Sequence, residues 1–152
     1  LAAAAGASGM VGGQMLDIEA ENQKISLADL ENLHRLKTGA LIKASVGLGA
    51  IAAGCLDQVL LQELDQFAAC IGLAFQVQDD LLDVESTTEI LGKKAGADQA
   101  LNKSTYPSLM GLDAAKQHLQ LLYEQAAALL RKMPIDVTAL QQILFMLQNR
   151  NS

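Results

Sequence analysis

The sequence predicts an all-α fold, and three observations carry that expectation. Hydrophobic residues make up 51% of the 152 positions but aromatic residues only 3%, with just two prolines. This Ala- and Leu-rich profile favours helices over strands. Leucines recur at helical spacing in Leu27, Leu30, Leu33 and Leu36, and again in Leu140, Leu144 and Leu147. Phe75-Gln76-Val77-Gln78-Asp79-Asp80-Leu81-Leu82-Asp83 sets three acids into an apolar run. Helical geometry places Asp79 and Asp83 about 40° apart on one face. The length fits one domain with a real core.

Taken in order, residues 1 to about 21 read as one helix despite Gly6, Gly9, Gly12 and Gly13. Each glycine weakens it by roughly 1 kcal/mol relative to Ala. Close approach of another helix or a ligand would compensate. Gln14 and Asp17, three residues apart, share a face. Asn22-Gln23-Lys24 is a turn, and Ser26 with Asp29 forms an N-cap. The next helix is amphipathic from Leu27 to Leu36 and apolar nearly all round from Ala40 to Cys55, so its second part is expected in the core. Lys37-Thr38-Gly39 marks a kink between the two parts. After Leu56-Asp57, a helix runs from about Gln58 to Val84. Residues 85 to 105 read as a loop carrying Lys93, Lys94 and Lys103. Pro107 suits a first turn, Gly111 interrupts, and Asp113 caps a helix ending at Met133-Pro134. Asp136 to Gln148 forms the last helix.

Several function classes are disfavoured. A net charge of −6 argues against a nucleic-acid surface. The apolar run from Gly39 to Cys55 is short and contains Lys43, which argues against stable membrane insertion. No targeting segment is evident. Cys55 and Cys70 read as reduced, buried thiols of a cytoplasmic protein. His34 and His118 pair with no nucleophile and read as surface residues. The chain starts without Met inside a helical pattern, as a piece of something longer would.

The acidic stretch carries the chemistry. Gly72 and Gln76 extend its polar stripe, while the rest of the cylinder is apolar. A surface helix has the opposite pattern, so the stripe is expected to face a polar cavity inside the protein. Burying unpaired carboxylates costs on the order of several kcal/mol each, and a helix C-terminus adds negative partial charge. The site therefore calls for a cation. Oxygen donors suit Mg2+ or Ca2+, and Mg2+ commonly takes one or two carboxylates plus phosphate oxygens. Lys37 suits a phosphate, or equally a snorkelling surface position. The loop lysines suit a lid over a metal-bound polyanion, or ordinary loop solubility.

Several segments then align in order. These are Gly12-Gly13-Gln14-Met15-Leu16-Asp17, Lys37-Thr38-Gly39, the acidic stretch, Gly92-Lys93-Lys94, Gly96-Ala97-Asp98 and Lys103-Ser104-Thr105-Tyr106-Pro107. The set resembles the trans-isoprenyl diphosphate synthases, most closely the bacterial farnesyl diphosphate synthases. The resemblance is close over residues 1 to about 110 and looser beyond. It implies an isoprenoid-synthase helical bundle around a central cavity, with residues 1–152 forming the C-terminal half of one domain. It also implies Mg2+ on Asp79, Asp80 and Asp83, and an allylic diphosphate on Lys37, Lys94 and Lys103. Thr38 and Gln76 would border the developing carbocation, with Lys37 as a further catalytic group and Gln14 and Asp17 lining the cavity. Isopentenyl diphosphate would be the second substrate, and the complete protein would be a homodimer. The family's first aspartate-rich motif is absent from these 152 residues, so the piece alone is expected to be inactive. Asn102 departs from the family pattern, which usually has Gly there. Terpene cyclases share the fold but carry a different second motif. A non-catalytic subunit of a heteromeric synthase would be expected to have lost the three acids.

Overall fold

The computed structural model describes residues 1–91 and 103–150, the side chains of 86–91 excepted. The described residues contain helices and no strands. In order these are α1 (Ala2–Ala5), α2 (Met10–Glu19), α3 (Leu27–His34), a π-helical turn (Arg35–Gly39), α4 (Ala40–Ala52) and α5 (Gln58–Leu91), then α6 (Tyr106–Met110), α7 (Leu112–Lys132) and α8 (Thr138–Gln148).

The 34-residue α5 is the axis of the molecule. Leu60, Leu64, Phe67, Ile71, Ala74, Val77 and Leu81 recur at three- and four-residue steps and are all buried. They form one core cluster with Ala115, Leu122, Ala126 and Leu130 of α7 and Leu144 of α8. On the other side, Gly72 of α5 faces Gly39 at the end of the π-turn. A Cβ at position 72 would stand 3.2 Å from the Gly39 Cα, so two glycines permit this crossing.

Several expectations are corrected. The helix expected over residues 1–21 breaks between Ala5 and Met10, at Gly6 and Gly9, while Gly12 and Gly13 are accommodated inside α2. α5 passes the expected end at Val84 and continues to Leu91, because no glycine or proline intervenes before Gly92. α7 starts from Gly111, whose φ is +88°, and Asp113 lies in its first turn instead of capping it. The largest correction concerns α4, which has no buried residue. Leu48 and Ile51 are 46% and 59% exposed. The flank of Ile42, Val46 and Ala50 packs on the core, α1 touches α4 as well, and the face with Leu48 and Ile51 stays exposed. Cys55 and Cys70 are free and half-buried, not fully buried.

Other expectations are met. Ser26 and Asp29 form a reciprocal capping box, and Pro107 occupies the first turn of α6, itself capped by Thr105 and Ser108. Asn22 adopts a φ of 59°, as its turn requires. Among the described residues, no helix is long and apolar enough to cross a membrane.

Candidate active site

Four segments distant in sequence assemble the site. The π-turn presents Lys37 and Thr38. Its widened backbone is stabilised by close contact with α2, where Gly13 lies directly against it. A Cβ at position 13 would stand 2.1 Å from the Lys37 amide nitrogen. This is the close approach that the glycine-rich N-terminal segment implied. A π-turn within a helix often marks a functional position.

α2 also supplies Asp17, one turn beyond Gly13. The Lys37 ammonium donates to its Oδ2 at 2.5 Å, and the Lys103 ammonium lies 3.1 Å from its Oδ1. Asp17 is buried, and burial alone would push its carboxyl up. Hydrogen bonds from Lys37 and Lys103 outweigh that and hold it below the usual carboxylate range. Lys103 is placed by its neighbour: Ser104 donates to the Gln23 carbonyl and accepts from the Ile25 amide, both at 3.3 Å. The segment leading into α6 is thus stapled to the turn between α2 and α3.

α5 supplies the acids. Asp80 Oδ2 accepts from the Tyr106 amide at 2.9 Å. Burial pushes the Asp80 carboxyl up to about 6; the nearby charges of Asp83 and Asp79 add to this, while the Tyr106 amide and the Lys103 charge oppose it. Gln76 donates to Asp79 Oδ2 at 3.3 Å. Asp83 is exposed and Asp79 half-buried. The stripe therefore opens to one side, and the expected enclosing cavity is not formed by the described residues. A cavity of about 720 Å3 lies elsewhere, between α4, the start of α5 and α8, with apolar walls that include Val46, Leu60 and Ile143.

Sequence reasoning gave no role to Gln78, Tyr123 or Tyr106, and named Arg150 only as a candidate for the basic C-terminal tail of the family that the chain resembles. Arg150 pairs with Asp79 Oδ1 and lies over the Phe75 ring, 4.2 Å from its centroid. Buried Gln78 donates to the Arg150 carbonyl at 3.1 Å and accepts from the Tyr123 hydroxyl at 2.7 Å. Arg150 is the only basic residue after Lys132, which was the available signal. Tyr106 is fully buried between His34 and His118, with ring centroids 5.8 Å apart on each side. This stack fixes the amide that holds Asp80. It corrects the surface reading of the histidines: His34 is 7% exposed, and burial pushes its imidazole down to about 4. His118 is half-buried.

Of the expected site residues, Lys37, Asp17 and Lys103 come together, as do Gln76 and Asp79. Gln14 is exposed and Thr38 half-buried. Lys94 lies outside the described residues.

The donor set fits a hard divalent cation. It offers oxygen atoms only, its negative charge is in excess, and Asp79 already carries a guanidinium as counter-ion. Among the described residues, no three Asp, Glu, His or Cys side chains converge into a cage. The protein would supply one or two donors and leave the rest to water or phosphate, as Mg2+ prefers.

Comparison with known proteins gives the family. The chain is 48% identical over 154 residues to farnesyl diphosphate synthase of Escherichia coli K12, covering 99% of this chain and 52% of the relative. It is 52% identical over 139 residues to the Haemophilus influenzae farnesyl diphosphate synthase, covering 91% and 47%. A geranyltransferase from Helicobacter pylori, solved with magnesium and isoprenyl diphosphate, superposes with a TM-score of 0.79 at 37% identity, covering 98% of this chain and 48% of that one. The chain spans about half the length of the curated relatives it matches. The family model described as polyprenyl synthetase matches residues 3–143, and the chain belongs to that family.

Proposed function

We propose that this chain is the C-terminal half of a prenyltransferase. The complete protein would condense isopentenyl diphosphate with dimethylallyl and geranyl diphosphates, giving farnesyl diphosphate and releasing diphosphate. One observation carries this reading. Two lysines from distant segments, Lys37 and Lys103, meet on Asp17, and Lys103 lies close enough to Asp80 of α5 to act on its titration. Cations and carboxylates so placed suit a diphosphate that binds both lysines and a metal.

Asp79, Asp80 and Asp83 would hold Mg2+ directly or through water. When bound, the metal neutralises charge on the departing diphosphate. Lys37 and Lys103 stabilise the same charge as preorganised donors. Thr38 and Gln76 border the carbon left electron-poor when the C–O bond breaks. In the complete protein, apolar walls would exclude water from that carbon until the double bond of isopentenyl diphosphate attacks it. A proton is then lost to the released diphosphate. We place the protein in the cytoplasm and its complete form in a homodimer.

The test is a chimaera in which this chain replaces the matching half of the E. coli relative. Farnesyl diphosphate should form from labelled isopentenyl diphosphate and geranyl diphosphate in the chimaera, and not with the 152-residue chain alone. Asp80→Ala should slow diphosphate release by roughly a hundredfold or more, the scale of losing a preorganised charge-stabilising group. Robust turnover by the chain alone, or an unaffected Asp80→Ala chimaera, would overturn the reading.

A further inference from the structure

We propose that Asp17 is an internal stand-in for the substrate diphosphate, holding Lys37 and Lys103 together when the anion is absent and competing with it for them. The inference rests on the reading of both lysines as diphosphate ligands.

The geometry is specific. Each Asp17 oxygen takes one lysine, Oδ2 taking Lys37 and Oδ1 taking Lys103. The two ammonium groups come from elements far apart in sequence and share one carboxylate, an arrangement that a phosphate group can reproduce. Without an anion between them they would repel. The anion is also rigidly held. Asp17 lies one helical turn from Gly13, where α2 meets the π-turn backbone without an intervening side chain. Its side chain is 11% exposed, against 29% for Lys37 and 51% for Lys103. The lysines therefore keep open faces while the carboxylate does not. An ammonium has three donors, so an incoming diphosphate can engage each lysine from the open side while drawing it from Asp17.

A purely structural role and a competing role differ in sign. If Asp17 only braces the lysines, removing its charge loosens them and weakens anion binding. If it competes, removing its charge strengthens binding. The isosteric Asp17→Asn separates these. The full chain is titrated with inorganic pyrophosphate at fixed Mg2+ by calorimetry, with thermal melts confirming that each variant is folded. Asp17→Asn should bind roughly fivefold tighter, the scale of a partly exposed charge pair. That gain should shrink at high salt and also shrink when Asp17→Asn is made in the Lys103→Gln background, where Asp17 holds Lys37 alone. Should Asp17→Asn not fold, the smaller Asp17→Ser is titrated in its place. Equal or weaker binding by a folded neutral variant would overturn the inference. Lys37→Gln and Lys103→Gln should each weaken binding about tenfold. Unchanged binding in both lysine variants would overturn the lysines' assignment and the inference with it. Weaker binding in the lysine variants without a gain in Asp17→Asn would overturn the inference alone.

Discussion

Replacing Asp80 with Asn should stabilise the metal-free protein, and only above a defined pH. An unperturbed aspartate titrates at about 3.9, whereas burial raises Asp80 to about 6. The folded state thus binds the Asp80 proton more tightly than the unfolded state does. Its contribution to stability is fully present below about pH 4 and is lost as pH rises through about 6. A displacement of that size is worth up to ~3 kcal/mol. Partial exposure of the carboxylate lowers the expectation to about 1–3 kcal/mol. Asn keeps an acceptor for the Tyr106 amide and carries no charge. With EDTA present, wild type and Asp80→Asn should melt together at about pH 4, below the folded-state titration. They should separate by about 3–10 °C at pH values well above 6, given the chain's size. Added Mg2+ should then raise the melting temperature of wild type and not that of the variant. A difference independent of pH, or a variant less stable at high pH, would refute the idea that this carboxylate is held against its own solvation preference.

Other expectations test neighbouring parts of the fold. Gly13→Ala should destabilise by about 1–3 kcal/mol even after the gain in helix propensity, because the new Cβ meets Lys37 backbone at 2.1 and 2.5 Å; urea unfolding reads this directly. Gly49→Ala, with nothing within 4 Å of its Cβ, should instead stabilise by about 0.5–1 kcal/mol. Tyr123→Phe leaves the buried Gln78 carbonyl without its 2.7 Å donor and should cost about 1–2 kcal/mol in the same assay. Arg150→Gln removes the guanidinium from Asp79, so calorimetric Mg2+ binding should tighten roughly threefold or more; weaker binding would show that Arg150 assists the metal instead of competing with it.

Helical periodicity made α3, α5, α7 and α8 legible, because each turns apolar residues at three- and four-residue spacing toward the core, α8 through Leu140, Leu144 and Leu147. Ser26, Asp29 and Pro107 were legible as local punctuation. α4 was misread because the apolar pattern of Ala40 to Cys55 gives no sign of how many neighbours pack on it. The same limit hid His34: a lone imidazole looks solvated until Tyr106 and His118 arrive from the far end of the chain to stack on and beside it. At the site, residue types were readable and partners were not. Lys37, Lys103 and Asp17 each stood out in the sequence, but their meeting depends on Ser104 stapling to the turn after α2. Arg150 meets Asp79 where Gln78 holds its carbonyl and the Phe75 ring lies under its guanidinium.

The sequence rule that failed and the one that was broken locally point in different directions. α4 leaves apolar surface uncovered, which concerns what surrounds these residues. The C-terminal half of α5 places acids where an apolar cylinder would pack more favourably, which concerns what these residues do. A carboxylate raised to about 6 by burial lowers stability at neutral pH, and a neutral residue of similar shape would remove the penalty. Asp79 balances its charge with Arg150 and Asp17 with two lysines, so the other two acids named here are each provided with a counter-ion. Asp80 accepts a backbone amide and feels Lys103 only at a distance. Its buried, raised carboxyl therefore stands to gain from a divalent cation, and metal binding and stability should be coupled at this position.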